Sequence, residues 1–349
     1  MPEKKPANGT PEITSIKELA EHLGLSWWTV SRALNGHLDV KQATRERIFK
    51  AVRESGFAPN PLARGLVGGR TRIVGVSFHE LDPGLVKTIA ALQQQLRESN
   101  YKALIELGCD DLQLETEAIS HFAAMRADGV VMFNSRQPKD AACFKLLERR
   151  GIPYVMVDPE NAIMPRVMID RKRAMKDILG HLYDLGHREF TVAGIDPDLW
   201  YNATRWAGLR EAMRERNLSV KNLRYLRGPA TRRHDFTDGE HLAEEYLAAQ
   251  ERPTAVITIS DRVAIGFIRR LRKANLRVPD YCSVVGAQNL DIGAHSTPSL
   301  TTFDFRTDKL TRTATELLLK QVETRKGSPR TRYVSGDVVP RESTAAPQR

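Results

Sequence analysis

Residues 13–36 read ITSIKELAEHLGLSWWTVSRALNG and predict two short helices joined by a glycine turn. Ser15 starts a capping box, in which its oxygen and the carboxylate three residues later each satisfy a backbone N–H. Gly24 stands where a helix C-terminus favours a left-handed residue, and Ser26 is suited to cap the second helix. A third helical pattern stops at Gly56, and three helices in this order are the helix-turn-helix arrangement.

The second of these helices, residues 26–34, is the one expected to read DNA. Trp28 and Arg32 are four residues apart and face away from the apolar stripe, and an arginine fork matches guanine O6 and N7. Trp27 is open to two interpretations, because its spacing also fits the apolar stripe. Either one tryptophan is core, or both supply contacts to thymine methyls and an N–H donor to a base edge or a phosphate.

Composition and charge exclude several classes of protein. The chain has 349 residues and a formal net charge of +10, which favours polyanionic partners without saying which. No apolar run reaches the roughly 18 residues of a membrane span, and residues 1–10 lack the apolar stretch of a secretory signal. Three widely spaced cysteines argue against a disulfide framework and a cysteine zinc site. We therefore expect a cytoplasmic, nucleoid-associated protein without cofactor, metal or membrane partner.

From residue 71 the chain alternates short apolar runs with helical patterns, which predicts parallel sheets of strand–helix–strand units. This length suits two lobes with a ligand cleft at the carboxyl ends of the strands. No HExxH, GxSxG or P-loop motif is present, so an enzyme is not expected. The strand candidates are residues 73–77, 103–106, 129–133, 154–157, 189–193, 255–259 and 283–286, and helical candidates include residues 85–99 and 206–217.

The N-terminal residues resemble the lactose-repressor (LacI/GalR) family of bacterial transcription regulators. The shared N-terminal pattern consists of Ala20, Gly24, Ser26, Thr29-Val30-Ser31-Arg32, Leu34-Asn35, Val40, Thr44-Arg45, Pro59-Asn60, Ala63-Arg64 and Leu66. In the large part it consists of Gly186-His187-Arg188, Arg205-Trp206-Ala207-Gly208, Asp261 with Ala264 and Gly266, Leu276-Arg277-Val278-Pro279, Ser283-Val284-Val285-Gly286 and Pro298-Ser299-Leu300-Thr301-Thr302. The resemblance implies a small all-α helix-turn-helix head plus a large α/β, periplasmic-binding-protein-like domain of two lobes with parallel sheets.

The resemblance also implies a division of the chain. In this family the segment around Leu66 folds into a hinge helix on DNA, and the leucine wedges into the minor groove, where it unstacks a base step. The plain alternative for this segment is a linker. The expected units are a disordered tail at 1–10, a helix-turn-helix domain at 11–58, a hinge helix or linker at 59–70, an effector-binding and dimerisation domain at 71–340, and a disordered tail at 341–349.

The two variable positions that read bases in the family are occupied here by Trp27 and Trp28, which implies that Trp27 points outward. Lys41 replaces the serine usual at that position, which weakens a helix cap but offers a phosphate contact. The residues expected to contact DNA are Ser26, Trp27, Trp28, Thr29, Ser31, Arg32, Asn35, Lys41, Asn60, Ala63 and Leu66.

A second set of residues is expected to contact an effector in the cleft: His79, Asp158, Arg205, Ser260, Asp261 and Gln288. Arg205 aligns with the arginine that grips effector hydroxyls or carboxylates in the family, a task that suits a guanidinium fork. The ordinary alternatives are a surface arginine at a helix start for Arg205 and turn residues for His79, Asp158 and Asp261.

Three departures from the family pattern bear on the effector. Gln288 stands where an aspartate is common, Ser260 replaces a frequent asparagine, and residues 171–173, Arg-Lys-Arg, add cations near the expected cleft. These changes would make the cleft more positive. They predict an acidic sugar, a sugar phosphate or no small molecule, rather than a neutral sugar.

We therefore expect a sequence-specific DNA-binding transcription regulator, a repressor, that binds a pseudo-palindromic operator as a homodimer. A small carbohydrate-like effector, acidic or phosphorylated, would modulate it. The alternative is a solute-binding protein of a transporter, which shares the two-lobed fold. The missing signal peptide and the N-terminal helix-turn-helix pattern argue against that alternative.

Overall fold

The computed structural model describes residues 13–34, 39–57, 70–79, 83–159, 165–229, 234–325 and 330–348. The tail predicted at 1–10 and all but the last residue of the predicted hinge lie outside these ranges. Four expected DNA contacts also lie outside the described residues: Asn35, Asn60, Ala63 and Leu66.

The head consists of the three predicted helices, which are α1 (Ile16–Leu23), α2 (Trp27–Leu34) and α3 (Gln42–Ser55). Ser15 caps α1 by accepting a hydrogen bond from the backbone of Glu18 at 3.1 Å, and Gly24 ends it with a φ of 59°. The helices pack around a small core that includes Leu19, Val30 and Ile48, all fully buried. Burying this apolar stripe is what holds such short helices in place, because they are marginal in isolation.

The large part contains twelve strands within the described residues. They are β1 (Ile73–Phe78), β2 (Lys102–Leu107), β3 (Gly129–Phe133), β4 (Tyr154–Val157), β5 (Arg166–Ile169), β6 (Phe190–Ala193), β7 (Leu223–Leu226), β8 (Ala255–Thr258), β9 (Ser283–Ala287), β10 (Thr301–Asp304), β11 (Thr331–Val334) and β12 (Asp337–Val339). All seven strand candidates are present, with bounds that differ by one residue at most. The short strands β5, β7, β10, β11 and β12 were not among those candidates.

The α-helices of the large part, within the described residues, are α4 (Leu85–Glu98), α5 (Leu112–Ala124), α6 (Ala142–Arg150), α7 (Arg171–Asp184), α8 (Ala203–Glu215), α9 (Phe236–Ala248), α10 (Asp261–Lys273), α11 (Asp291–Ala294) and α12 (Thr307–Thr324). A 3₁₀ turn, Trp200–Asn202, precedes α8. A second one, Val220–Asn222, precedes β7.

The strands form two six-stranded sheets. The first has the order β11-β5-β4-β3-β1-β2 and is parallel throughout, and the second has the order β12-β10-β9-β8-β6-β7. Only the edge strand β12 of the second sheet runs antiparallel to its neighbour. Central strands such as β3, with sequence GVVMF, are buried on both faces, as expected of a parallel sheet covered by helices.

The chain crosses between the two lobes three times: after β5, after β10 and after β11. The crossings lie side by side, since the backbone of Asp170 donates to Val334 at 3.0 Å and the Arg306 guanidinium lies 3.4 Å from Asp337. Gly336, in the crossing after β11, lies against Asp304, where the crossing after β10 begins. An added Cβ at Gly336 would lie 1.7 Å from the Asp304 carbonyl oxygen, so these two crossings touch backbone to backbone. The three crossings form the interlobe hinge, which is separate from the hinge helix or linker predicted at 59–70.

The end of the chain differs from the sequence-based prediction of a disordered tail at 341–349. Residues 341–348 lie against the second lobe as an ordered strap, with Ser343 fully buried. The Ser343 hydroxyl donates to Val284 at 2.6 Å and its backbone donates to Ser299 at 3.0 Å. The polar groups of residues 341–348, which suggested disorder, instead form hydrogen bonds with backbone groups at the end of the second sheet.

Candidate nucleic-acid interface and ligand cleft

The outer face of α2 carries an aromatic pair. Trp27 is 38% exposed and Trp28 57% exposed, whereas Val30 and Ala33 on the other face are fully buried. The two indole rings lie 6.2 Å apart, centroid to centroid. Trp27 therefore faces outward, and the apolar stripe of α2 does not include it.

Arg32 lies one turn beyond Trp28 on the same face of α2. Its guanidinium carbon is 5.7 Å from the centroid of the Trp28 ring, within cation–π range. Its Nη2 atom is 2.6 Å from Oδ2 of Asp39, a residue between α2 and α3. Asp39 was not among the predicted site residues, and the only signal for it in the sequence is a carboxylate a few residues after the reading helix.

The other predicted DNA contacts on the head have different surroundings. Ser26 caps α2 by accepting from the backbone of Thr29 at 3.1 Å, and the two hydroxyls are 2.8 Å apart. Ser31 is buried, so its side chain lies inside the head. Lys41 is exposed at the start of α3, where its side chain makes no capping hydrogen bond.

Several predicted effector contacts lie at the carboxyl ends of the strands, where ligands sit in folds of this kind. His79 follows β1, Asp158 follows β4 and Gln288 follows β9. Ser260 lies two residues after the end of β8. Two of these four residues belong to the first sheet and two to the second.

The His79 side chain is directed into the first lobe. Its Nδ1 lies 3.2 Å from Oε2 of Glu115 on α5, and both side chains are almost fully buried. Burial raises the pKa of Glu115 above its ordinary value. Sequence reasoning gave no reason to single out Glu115, because a glutamate in the first turn of a helix is ordinarily exposed.

Ser260 and Asp261 shape the second lobe from within. Ser260 caps α10 by accepting from Val263 at 3.3 Å. Asp261 is fully buried and accepts from the backbone of Leu290 at 2.7 Å and from the Thr302 hydroxyl at 2.5 Å. Burial raises the pKa of Asp261 to about 6. In this structure Ser260 holds the start of α10, and Asp261 holds the loop after β9, the loop that carries Gln288.

Asp158, Arg171 and Arg205 form a charged cluster at the first crossing. Arg171, the first residue of α7, makes a bidentate ion pair with Asp158 of the first lobe. Arg205 is partly buried near both and donates to the Asn202 side chain at 2.9 Å and to the Tyr201 carbonyl at 3.4 Å. Burial, with the Arg171 charge, lowers the pKa of Arg205 to about 9. Two arginines and one aspartate give this cluster a formal charge of one excess positive.

The structure corrects part of the prediction that residues 171–173 make the cleft more positive. Of the three cations at 171–173, only Arg171 contributes to this cluster. Lys172 and Arg173 are exposed, and they pair with Glu211 at 2.6 Å and Asp177 at 3.4 Å respectively. Because their neighbours on the helix surface neutralise them, a count of cations overestimates the charge at this crossing.

Among the residues that the structure describes, no group of three or more His, Cys, Asp or Glu side chains is arranged to hold a metal ion. In the same parts of the chain, no helix is long and apolar enough to span a membrane.

Comparison with known proteins gives two family matches. Residues 15–60 match the model for bacterial regulatory proteins of the lacI family, and residues 179–344 match a periplasmic binding protein-like domain. The chain is 29% identical over 336 residues to the HTH-type transcriptional repressor CytR of Escherichia coli K12, which covers 95% of this chain and 96% of the relative. It is 25% identical over 335 residues to the HTH-type transcriptional repressor PurR of Photobacterium profundum, covering 95% and 98%.

Solved structures share the fold at lower identity. A lac repressor dimer bound to operator and the anti-inducer ONPF matches with a TM-score of 0.79 and 22% identity, over 95% of this chain and 99% of that one. A complex of the transcriptional regulator CelR with cellobiose matches with a TM-score of 0.67 and 23% identity, over 95% and 100%. The chain thus joins a helix-turn-helix head of the lacI family of bacterial regulatory proteins to a periplasmic binding protein-like domain of two lobes.

Proposed function

We propose that the protein is a transcription repressor that binds a pseudo-palindromic operator as a homodimer. The observation that carries this proposal is the exposed array of Trp27, Trp28 and Arg32 on the second helix of a helix-turn-helix head. The curated relatives are named as repressors, and the lac repressor structure is a dimer on its operator. A protein with this function works at the nucleoid, in the cytoplasm.

Affinity and specificity would come from different residues. Two heads would occupy half-sites about one helical turn apart. Lys41 and other basic side chains would neutralise phosphates in a salt-dependent, sequence-independent way. Arg32 would bond to a guanine edge, with the tryptophans in apolar contact with neighbouring bases. The units proposed for this work are the head at 11–58, the hinge at 59–70 and the two-lobed domain from 71 to 348, which now includes the strap.

The test is the effect of Arg32→Ala on binding to duplexes that the full-length protein selects from a randomised pool. We expect a loss of about 1–3 kcal/mol on the selected sequence and a smaller loss, from the missing charge alone, on random DNA. Fluorescence anisotropy on both DNAs measures it. Arg53→Ala, which removes the same charge from an exposed position on α3, is the control and should not favour one DNA over the other.

Two outcomes would contradict the proposal at different levels. Equal weakening on selected and random DNA would remove Arg32 from base reading. Absence of any salt-sensitive, sequence-selective binding by the unmodified protein would reject the DNA-binding function itself.

For the effector, the charged cluster supports a small molecule with an anionic group, such as a sugar phosphate or an acidic sugar. Arg205 donates to neutral oxygens, and the cluster of Asp158, Arg171 and Arg205 has one excess positive charge that an anion would balance. Charge-assisted bonds from a guanidinium fork to carboxylate or phosphate are short and strong. Titration calorimetry of the full-length protein with sugar phosphates, uronic acids and neutral sugars tests this class. Tight binding of a neutral hexose alone would reject it.

A further inference from the structure

Arg32 is held from two sides. Trp28, one turn earlier on α2, places its ring 5.7 Å from the guanidinium carbon, and Asp39, from the segment before α3, accepts at 2.6 Å from Nη2. The Arg32 side chain is 31% exposed and that of Asp39 is 56% exposed. The guanidinium therefore stays accessible while its direction is fixed by two independent parts of the head.

One guanidinium has enough donors for Asp39 and a base at the same time. It carries five N–H groups in a planar fork, and a guanine edge uses two of them. A carboxylate only accepts, so Asp39 occupies one donor direction of Nη2. The Nε atom is buried, and the Nη1 group with the second N–H of Nη2 remains as the pair of donors for a base edge. Binding DNA does not require this ion pair to break.

The same carboxylate has an electrostatic cost on a DNA-binding surface. DNA is a polyanion, and an acidic residue beside the reading arginine weakens the attraction to any sequence. An unrestrained arginine, in contrast, has many rotamers and can turn to a phosphate, which carries no sequence information. Asp39 thus lowers the affinity for DNA of any sequence and restricts the directions in which the Arg32 side chain can point.

We propose that Asp39 is a positioning residue for Arg32 and sets how strictly the head demands guanine at the base pair that Arg32 reads. The inference rests on the proposed DNA-binding function. It predicts that removing the Asp39 charge lowers the preference for guanine and raises the affinity for DNA of any sequence. A residue that merely supports the fold would lower both.

The experiment compares Asp39→Asn with the unmodified full-length protein on three duplexes. They are the sequence selected from a randomised pool, the same sequence with the guanine pair replaced in each half-site, and random DNA. We expect Asp39→Asn to lower the preference for guanine at least about threefold and to raise affinity for random DNA about two- to fivefold at low salt. The pair that Arg32 reads is identified first with Arg32→Ala, which should lose about fivefold to a hundredfold in preference there.

Two controls separate positioning from charge. Glu54→Gln removes the same negative charge from another exposed ion pair, the pair of Glu54 with Lys50 at the end of α3. It should leave the guanine preference unchanged. In the Arg32→Ala background, Asp39→Asn should change the preference no further, because the residue it positions is gone. Equal loss of preference in Asp39→Asn and Glu54→Gln would overturn the inference.

The remaining outcomes are also decisive. An unchanged guanine preference in Asp39→Asn, with Arg32→Ala still losing it, would overturn the inference and leave the proposed function standing. Failure of the unmodified protein to select any sequence would overturn both. Far-UV circular dichroism checks that the head of Asp39→Asn is folded, and Asp39→Glu, which keeps the charge, should retain more of the preference than Asp39→Asn.

Discussion

Ion-pair partners decide what each charged residue of this protein is able to do. Arg32 and Arg173 are both arginines on exposed helix faces, but Arg32 pairs with Asp39 outside its own helix and Arg173 with Asp177 within one helix. Exposed pairs of the second kind contribute little, about 0.3–0.5 kcal/mol. A pair between separate segments can instead fix the direction of a side chain that does chemistry or recognition.

His187 shows the same dependence on partners inside the second lobe. The Ala345 carbonyl can only accept, so Nε2 of His187, 3.0 Å away, donates to it, and Nδ1 accepts from the Thr254 hydroxyl at 2.8 Å. The neutral ring thus ties the C-terminal strap to the sheet. Burial lowers the pKa of His187 below its ordinary value of 6.5, and burial does the same for His181, which contacts Thr344 of the strap.

These two histidines are expected to contribute a loss of stability in mild acid. As pH falls through about 6.5, the unfolded chain takes up protons at His181 and His187 before the folded chain does, so unfolding becomes easier. Asp261 and Glu115 contribute in the opposite direction, because their raised pKa values let the folded state take up protons first. Urea unfolding of His187→Gln and of the unmodified protein between pH 7.5 and roughly pH 5 isolates the histidine contribution, and the free energy of unfolding should decrease less, or increase more, in the variant as pH falls. An identical slope in the variant would contradict the assignment.

At the scale of elements, close contacts between helices depend on glycine. Gly239 on α9 and Gly266 on α10 lie at the contact between these two helices. An added Cβ at Gly266 would lie 2.0 Å from the carbonyl oxygen of Phe236, which is backbone and has little freedom to move. The helices are therefore as near to each other as their backbones allow.

Gly266→Ala is expected to destabilise the protein by about 1–3 kcal/mol, because the helices must separate to admit the methyl group. This loss outweighs the roughly 1 kcal/mol that alanine contributes through helix propensity. The matched control is Gly180→Ala on α7, where the added Cβ meets only the end of the flexible Arg216 side chain at 2.7 Å. It should be neutral or mildly stabilising. Urea unfolding of both variants measures the difference, and equal effects would contradict the packing argument.

Elements specified by local patterns were predictable from the sequence, and those specified by distant partners were not. The caps at Ser15 and Gly24 and the apolar run of β3 depend on neighbouring residues, and the structure has them as predicted. The strap depends on Ser283 and Ser299, which are far away in the chain, so its polar composition indicated disorder. The candidate site shows the same limit. Asp158 was predicted as a cleft residue, but neither its ion pair with Arg171 nor that of Asp39 with Arg32 has a local signal.

At the scale of the whole molecule, the charged cluster of Asp158, Arg171 and Arg205 lies at the first of the three crossings that form the interlobe hinge. Arg171 is the first residue of the second lobe after β5, yet its guanidinium binds Asp158 of the first lobe. An anion that recruits Arg171 would exchange a contact between lobes for a contact with the ligand. Since three crossings lie side by side, we expect a change at one of them to alter the angle between the lobes.

This coupling is expected to be reciprocal between the anionic effector and the operator. If the effector changes operator affinity by a factor, typically about 5- to 150-fold, the operator must change effector affinity by the same factor. Anisotropy of operator binding with and without effector gives one value, and calorimetry with and without operator gives the other. Arg171→Ala should reduce the factor at least about threefold, and Arg173→Ala, on the same helix but paired with Asp177, should leave it unchanged. A factor that is equal in both variants and the unmodified protein would show that the ion pair at this crossing does not carry the coupling.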